Sequence, residues 1–229
     1  VLGSASVMGV LASFLESSWQ PGSGDPRSLV NPATEAEVAQ VAAAGSLEKA
    51  VAFARDVGGP ALRKMSFVER GQMLKAMSKA IHEAREELIE IAIANGGNTR
   101  GDAKFDIDGA TAVLSTYAFL SKDFGEAPWL LLDAEATPIF RNSKIRGQHV
   151  LLPRRGVAVH INAFNFPAWG MMEKMACAIL AGMPVIEKPG TPTALVAWRV
   201  AQIIVDSGVL PAGAYQSVSY THLEPTRPV

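Results

Sequence analysis

Only one cysteine, Cys177, occurs in a chain of 229 residues. No disulfide can therefore close within the chain, and a reducing, cytoplasmic compartment is the expectation. Histidine is scarce as well, with four scattered residues, too few beside a single thiol to compose a zinc constellation. An excess of either charge is missing, since 21 Lys and Arg face 22 Asp and Glu. That balance gives no electrostatic ground for nucleic acid or an anionic membrane as partner. No run approaches the roughly 20 apolar residues that cross a bilayer, and the apolar opening VLGSASVMGVLASF lacks the basic residues of a secretory signal. Repeats, low-complexity tracts and G-x-G-x-x-G are absent too, so a bound pyrophosphate would need another cradle.

What is present is apolar substance. Hydrophobic residues make up 48 % and charged residues 19 %, which implies a well-buried core. FLESSWQPGSGDPRSLVNPATEAEVAQVAAAG reads as a short hairpin, with QPGSGDP as the turn and NPAT as a second turn. From Ser46 the period becomes helical: Leu47, Ala50, Val51 and Ala54 share a face, Ser46 is the N-cap and GGP the stop. One long helix follows over SFVERGQMLKAMSKAIHEAREELIEIAIANGGNTR, opened by a Ser66/Glu69 capping box and closed by NGG. Its core face is Met73, Leu74, Met77, Ile81 and Leu88. KFDIDGATAVLSTYAFLSKDFG is a further amphipathic helix. Two β-prone segments around RNSKIRGQ read as a hairpin that must pack on something, such as another subunit.

From Gly156 the pattern alternates: strand GVAVHIN, helix PAWGMMEKMACAILAG, strand MPVIEKP, helix TPTALVAWRVAQIIVDSG, then a third strand. This spacing predicts an α/β, doubly wound sheet of parallel strands covered on both faces. The expected organisation is a mostly helical N-terminal part (1–136), a bridging hairpin (137–154) and a Rossmann-like βαβαβ segment (155–218). A tail that looks non-native (219–229) completes it. Val1 in place of methionine, and the unpatterned SYTHLEPTRPV, lead us to expect a fragment of a longer chain.

Open α/β sheets bind ligands beyond the carboxyl ends of their strands. Two such ends are HINAFNFP and IEKPGTPT. Pro167 suits the first turn of a helix and keeps Phe166 extended, so Asn165 sits at a strand-to-helix corner. Its amide either donates into a cleft, where an oxyanion develops, or merely satisfies loop backbone. Lys188 emerges at the second end, as a donor to ribose hydroxyls or phosphate or as a solvated lysine. Thr191 and Thr193 either cap the next helix or face a ribose 2′-phosphate. Cys177, between Ala176 and Ala178, reads as an inert small hydrophobe. His160 reads as a satisfied core histidine, and Met171, Met175 and Ile179 as core.

At these corners the sequence resembles the aldehyde dehydrogenase superfamily. AFNFP matches its PWNFP corner and KPGTPTA its KPSE-x-TP segment; the resemblance covers about residues 9 to 218. GGPALRKMSFVERGQMLKAM and DIDGATAVLSTYAFLSK look like the subgroup acting on CoA-thioester semialdehydes from phenylacetate and benzoyl-CoA breakdown. The resemblance implies that Asn165 donates to a thiohemiacetal oxyanion, that Lys188 and Thr191 meet the adenosine ribose, and that Ile161, Asn162 and Phe164 line the cofactor. It maps a helix lysine of the family to Lys174. It implies an aldehyde, specifically a CoA-linked semialdehyde, as substrate, NAD or NADP as cofactor, and a homo-oligomeric parent.

Three departures matter. The family's PW is Ala163-Phe164 here. The glutamate that grips both ribose hydroxyls in NAD users is Thr191, which does not repel a 2′-phosphate, so NADP is the expected cofactor, with NAD possible. The family's cysteine nucleophile, glutamate base and second glycine-rich turn are expected beyond Val229, leaving this fragment inactive alone. A short-chain reductase is excluded because Tyr117-Ala-Phe-Leu-Ser lacks its lysine. A non-catalytic nucleotide-binding or subunit-pairing module is the alternative.

Overall fold

The alternation from Gly156 becomes the spine of the molecule. A computed structural model describes residues 9–127, 131–132, 135–141 and 144–221. Before the spine come five strands, β1 (Val10–Leu11), β2 (Ser13–Leu15), β3 (Ser18–Gln20), β4 (Ser23–Val30) and β5 (Glu37–Ala43). Five helices follow: α1 (Glu48–Phe53), α2 (Gly59–Lys64), α3 (Phe67–Glu83), α4 (Arg85–Gly96) and α5 (Arg100–Phe124). Short strands β6 (Leu131–Leu132), β7 (Thr137–Pro138), β8 (Arg146–Gly147) and β9 (Val150–Leu151) come next. The spine itself is β10 (Ala158–Ile161), α6 (Trp169–Leu180), β11 (Val185–Lys188), α7 (Ala194–Asp206) and β12 (Tyr215–Ser217).

β10, β11 and β12 pair in parallel, with Ile161 opposite Lys188. β12 then pairs antiparallel with β2, and β2 with β3, giving the order β10-β11-β12-β2-β3. The sheet is thus mixed rather than purely parallel, because an N-terminal hairpin closes one edge. A second sheet has the order β1-β5-β4. The expectation of strands covered on both faces holds for β11, whose Val185, Ile186 and Glu187 are buried. It fails for β10: Val159 is 58 % and Ile161 72 % exposed, because β10 ends the sheet and nothing among the described residues covers that face.

The other face carries α3, α5 and α6, whose Leu74, Met77, Ile81, Ile107, Leu114, Met171, Met175 and Ile179 form one core. α3 opens with the expected capping box: Glu69 N–H donates to Ser66 Oγ at 3.1 Å and Ser66 N–H to Glu69 Oε2 at 2.6 Å. The single long helix expected there is two, broken at Ala84 (φ −95°, ψ 11°). Arg85, in a fork–fork pair with Asp108 of α5, begins α4, and the break lets Leu88, Ile89 and Ala92 all face the core. GGP does not stop α1, which runs through a π-helical turn (Ala54–Gly58) into α2. Pro60 is the second residue of α2, directly after the π-helical turn. A Cβ at Gly58 would lie 2.0 Å from the Gly213 carbonyl oxygen, so that glycine serves packing. Ser46 is not the N-cap of α1: Leu47 takes that place without a side-chain cap, and Ser46 Oγ only accepts from Glu48 N–H at 3.4 Å.

The N-terminal hairpin turn is not QPGSGDP. It is Glu16-Ser17, both at positive φ, the two-residue geometry that matches strand twist. QPGSGDP instead carries the chain from β3 into β4. NPAT does turn, between β4 and β5, where Asn31 Oδ1 accepts from the N–H groups of Ala33 and Thr34. In residues 137–154, β7 pairs with β8, and β9 pairs with the earlier β6. Part of the tip, 142–143, lies outside the described residues, as does most of the tail, 222–229. Ser219 and Tyr220, counted with that tail, are buried. Among the described residues no helix is long and apolar enough to cross a membrane.

α6 has no cap from its own residues. Asp106 of α5 supplies one, accepting from Ala168 N–H at 3.1 Å and Trp169 N–H at 2.8 Å. Burial pushes this carboxyl up from the usual carboxylate range, and the two N–H groups pull it back. Asp106→Ala is expected to lower the unfolding free energy by about 2 kcal/mol, read by urea titration. A loss under about 0.5 kcal/mol, the ordinary surface range, would show that α6 needs no such anchor.

Candidate functional site

The tips of β10 and β11 are locked together. Asn162 N–H donates to the Lys188 carbonyl at 2.9 Å, extending the parallel ladder by one residue. Thr193 Oγ1 donates to the Phe164 carbonyl at 2.7 Å. It therefore ties one corner to the other and does not cap α7; neither it nor Thr191 supplies a side-chain cap there. Gly190 completes the contact: a Cβ there would lie 2.7 Å from the Phe164 nitrogen and 2.8 Å from its Cα.

Asn165 is exposed at the first corner and lines a cavity of about 370 Å³ with Ala163, Phe166, Trp169, Lys174 and Phe105. Phe105, Phe166 and Trp169 form an edge-to-face triangle, with centroids 5.1 to 6.2 Å apart. Such contacts fix ring orientation, so one wall of the cavity is rigid and apolar. Lys174, one α6 turn after Gly170, donates to the Gly170 carbonyl at 2.9 Å and to Asn162 Oδ1 at 3.0 Å. An amide and an ammonium thus line one cavity together with the Glu173 carboxylate, and of these the amide and the ammonium are able to stabilise negative charge on a carbonyl oxygen.

The second corner is separate in its side chains. Lys188 is half-buried, and burial pushes its ammonium down from the usual lysine range. Its Nζ donates to the Pro189 carbonyl at 2.8 Å. The structure brings Lys188 and Thr191 to the strand tip next to that of Asn165 but not into the Asn165 cavity. Ile161 and Phe164 lie exposed beside them. The Asn162 side chain points the other way: it is buried, donating to Glu187 Oε2 at 2.7 Å.

Glu187 is the residue that sequence reasoning missed. It is 0 % exposed on β11, and His160 Nδ1 lies 2.7 Å from its other oxygen, which satisfies His160 as expected. Burial pushes the Glu187 carboxyl up, and the hydrogen bonds from His160 and Asn162 oppose that. A carboxylate inside the apolar PVIEKP was the available signal, because a buried charge needs partners. Cys177 corrects the opposite way. It is exposed, its thiol directed at Tyr117 Oη at 2.7 Å, in a separate groove with Phe67, Leu151 and Leu152. Its neighbours in the sequence are small, but its own position on α6 faces away from the core. No group of three His, Cys, Asp or Glu residues that could hold a metal ion occurs among the described residues.

The profile of the aldehyde dehydrogenase family matches residues 19–224. A 3,4-dehydroadipyl-CoA semialdehyde dehydrogenase of Aromatoleum evansii is 41 % identical over 209 residues, covering 91 % of this chain and 40 % of that protein. A betaine aldehyde dehydrogenase of Bacillus subtilis (strain 168) is 30 % identical, covering 86 % and 39 %. The chain therefore spans about two fifths of the length of these curated relatives. Among solved structures, lactaldehyde dehydrogenase from Escherichia coli superposes with a TM-score of 0.77 at 26 % identity, covering 93 % of this chain and 43 % of that one. A 3,6-anhydro-L-galactose dehydrogenase in complex with NAP gives 0.79 at 21 %, covering 91 % and 42 %, a likeness of fold alone.

Gly190→Ala tests the locked corners. It is expected to cost about 1–3 kcal/mol and to shift the amide resonances of residues 162–166 and 188–193 while those of α3 and α4 stay put. Unchanged corner resonances would mean that the two tips are not held by this contact.

Proposed function

This chain belongs to the aldehyde dehydrogenase family, and from that premise we propose that it forms the first part of an NAD(P)-dependent enzyme oxidising a CoA-linked semialdehyde to the acid. The observation that supports this most is the cavity at the β10 tip, where the Asn165 amide, the Lys174 ammonium and three aromatic rings converge. An aldehyde carbonyl placed there would find its oxygen facing donors and its carbon chain against Phe105, Phe166 and Trp169.

In this reading a thiolate attacks the carbonyl carbon, the π electrons move onto oxygen, and Asn165 donates a hydrogen bond to the resulting oxyanion. Lys174 adds positive charge at the same wall. A nicotinamide bound beside this corner would supply the hydride acceptor for the former aldehyde carbon. Water then releases the acid and returns the thiol. We propose that the thiolate and the base that activates water come from the parent protein outside this chain. Cys177 does not serve, because it lines a different groove.

The donor set at the β11 tip fits a nucleotide. Lys188 offers an ammonium at reduced solvation cost, Thr191 offers a hydroxyl, and residues 188–193 contain no carboxylate. Ile161 and Phe164 present uncovered apolar surface beside them for a flat ring. The lack of a carboxylate near the ribose favours NADP. Exposed Ile139, Phe140, Ile145, Leu151 and Leu152 in residues 137–154 support a homo-oligomeric parent paired through that segment.

The test uses the full-length parent with a CoA-linked semialdehyde. The kcat/KM with NADP is expected to equal or exceed that with NAD, and Thr191→Glu to shift the ratio toward NAD by at least about tenfold. A strong NAD preference in the unaltered enzyme, or no oxidation of any CoA-linked semialdehyde, overturns the corresponding part of the proposal.

A further inference from the structure

Lys174 is a solvent-exposed lysine on a helix, and such a side chain ordinarily samples many rotamers at little cost. Here, besides the Gly170 carbonyl of its own helix, a chain of buried polar groups leads it to one place. Glu187 Oε2 accepts from Asn162 Nδ2 at 2.7 Å, and Asn162 Oδ1 accepts from Lys174 Nζ at 3.0 Å. The orientation of the Asn162 amide decides what Lys174 meets. An ammonium only donates, so the Asn162 carbonyl oxygen must face Lys174, and the NH₂ group is left to donate to Glu187. Reversed, the amide would turn its NH₂ on Lys174 and bring two oxygens together at Glu187.

Glu187 is in turn fixed from behind. It is fully buried on β11, and His160, its register partner on β10, lies 2.7 Å from Oε1. Each carboxylate oxygen thus has a partner, His160 at Oε1 and Asn162 at Oε2. We propose that Glu187, acting through Asn162 and braced by His160, is a positioning residue that holds the Lys174 ammonium at the wall of the Asn165 cavity. Its bearing on catalysis rests on the function proposed above; the positioning itself is measurable on this chain without turnover.

Lysine acylation by acetic anhydride, mapped by mass spectrometry on the chain as it is, reads the claim directly. Lys75 and Lys79 of α3, remote from the network, serve as internal references. Glu187→Val puts an ordinary strand residue on β11 and frees the Asn162 amide. Lys174 is then expected to react roughly three- to tenfold faster, from the loss of a charge-assisted hydrogen bond, with Lys75 and Lys79 unchanged. Glu187→Gln, whose amide oxygen accepts from Asn162, is expected to restore most of the protection. General loosening of the fold would raise all three lysines, so an unselective rise overturns the proposal. So does an unchanged Lys174 in a folded Glu187→Val chain, or a Gln variant as reactive as the Val one. Because no step needs aldehyde or cofactor, the positioning can stand while the proposed function fails, and the reverse.

Discussion

The parallel pairing of β10 with β11 is the constraint from which the site follows. Its register sets Ile161 opposite Lys188 and His160 opposite Glu187, which decides at once what is exposed and what is hidden. Val159 and Ile161 face outward, and His160 joins Glu187 on the inner side. A slip of one residue would exchange the two faces. It would set the Glu187 carboxylate against apolar side chains and pull Asn162 away from Lys174. The pairing continues past the strands in the Asn162 to Lys188 bond, the Thr193 to Phe164 bond and the seat that Gly190 offers to the Phe164 backbone. The Asn165 corner is therefore positioned by hydrogen-bonded backbone and not by a free loop.

A second constraint comes from the helical layer. Asp106 reaches from α5 to the first N–H groups of α6 and so fixes where that helix begins. The start of α6 sets the phase of the helix, which directs Met171 and Met175 into the core and Lys174 toward the cavity. Phe105, one residue before Asp106, belongs to the aromatic triangle. The same stretch of α5 thus anchors the helix and builds the apolar wall, which links the stability of the layer to the shape of the site.

Much of this was legible in the residues. Continuous apolar runs separated by helical periods announced β10, α6, β11, α7 and β12, and Ser66 with Glu69 announced the start of α3. What stayed hidden has a common cause: it depends on partners distant in sequence. Nothing local marks Ala84 as a break, because the break answers to the Arg85–Asp108 pair and to the core. Nothing near QPGSGDP says that the hairpin turns earlier, at Glu16-Ser17, since Gln216 holds that turn by accepting from Glu16 N–H. Thr193 reads as a cap by position, yet its hydroxyl is claimed by a carbonyl from the other corner. At the site, Asn165 and Lys188 are visible as polar residues at strand ends, whereas Asn162, which the resemblance sets along the cofactor, turns its side chain inward to Glu187, a partner distant in sequence.

The whole reading turns on whether the Asn165 amide meets an oxygen that becomes negative during reaction. The most direct measurement is the single-turnover rate of hydride transfer in the full-length parent and in its Asn165→Ala variant, with CoA-linked semialdehyde and NADP saturating. Loss of an oxyanion donor predicts a fall of about 10²–10³ in that rate with little change in substrate KM. An unchanged rate, or a loss confined to KM, would contradict it and leave Asn165 a loop residue without a part in the chemistry.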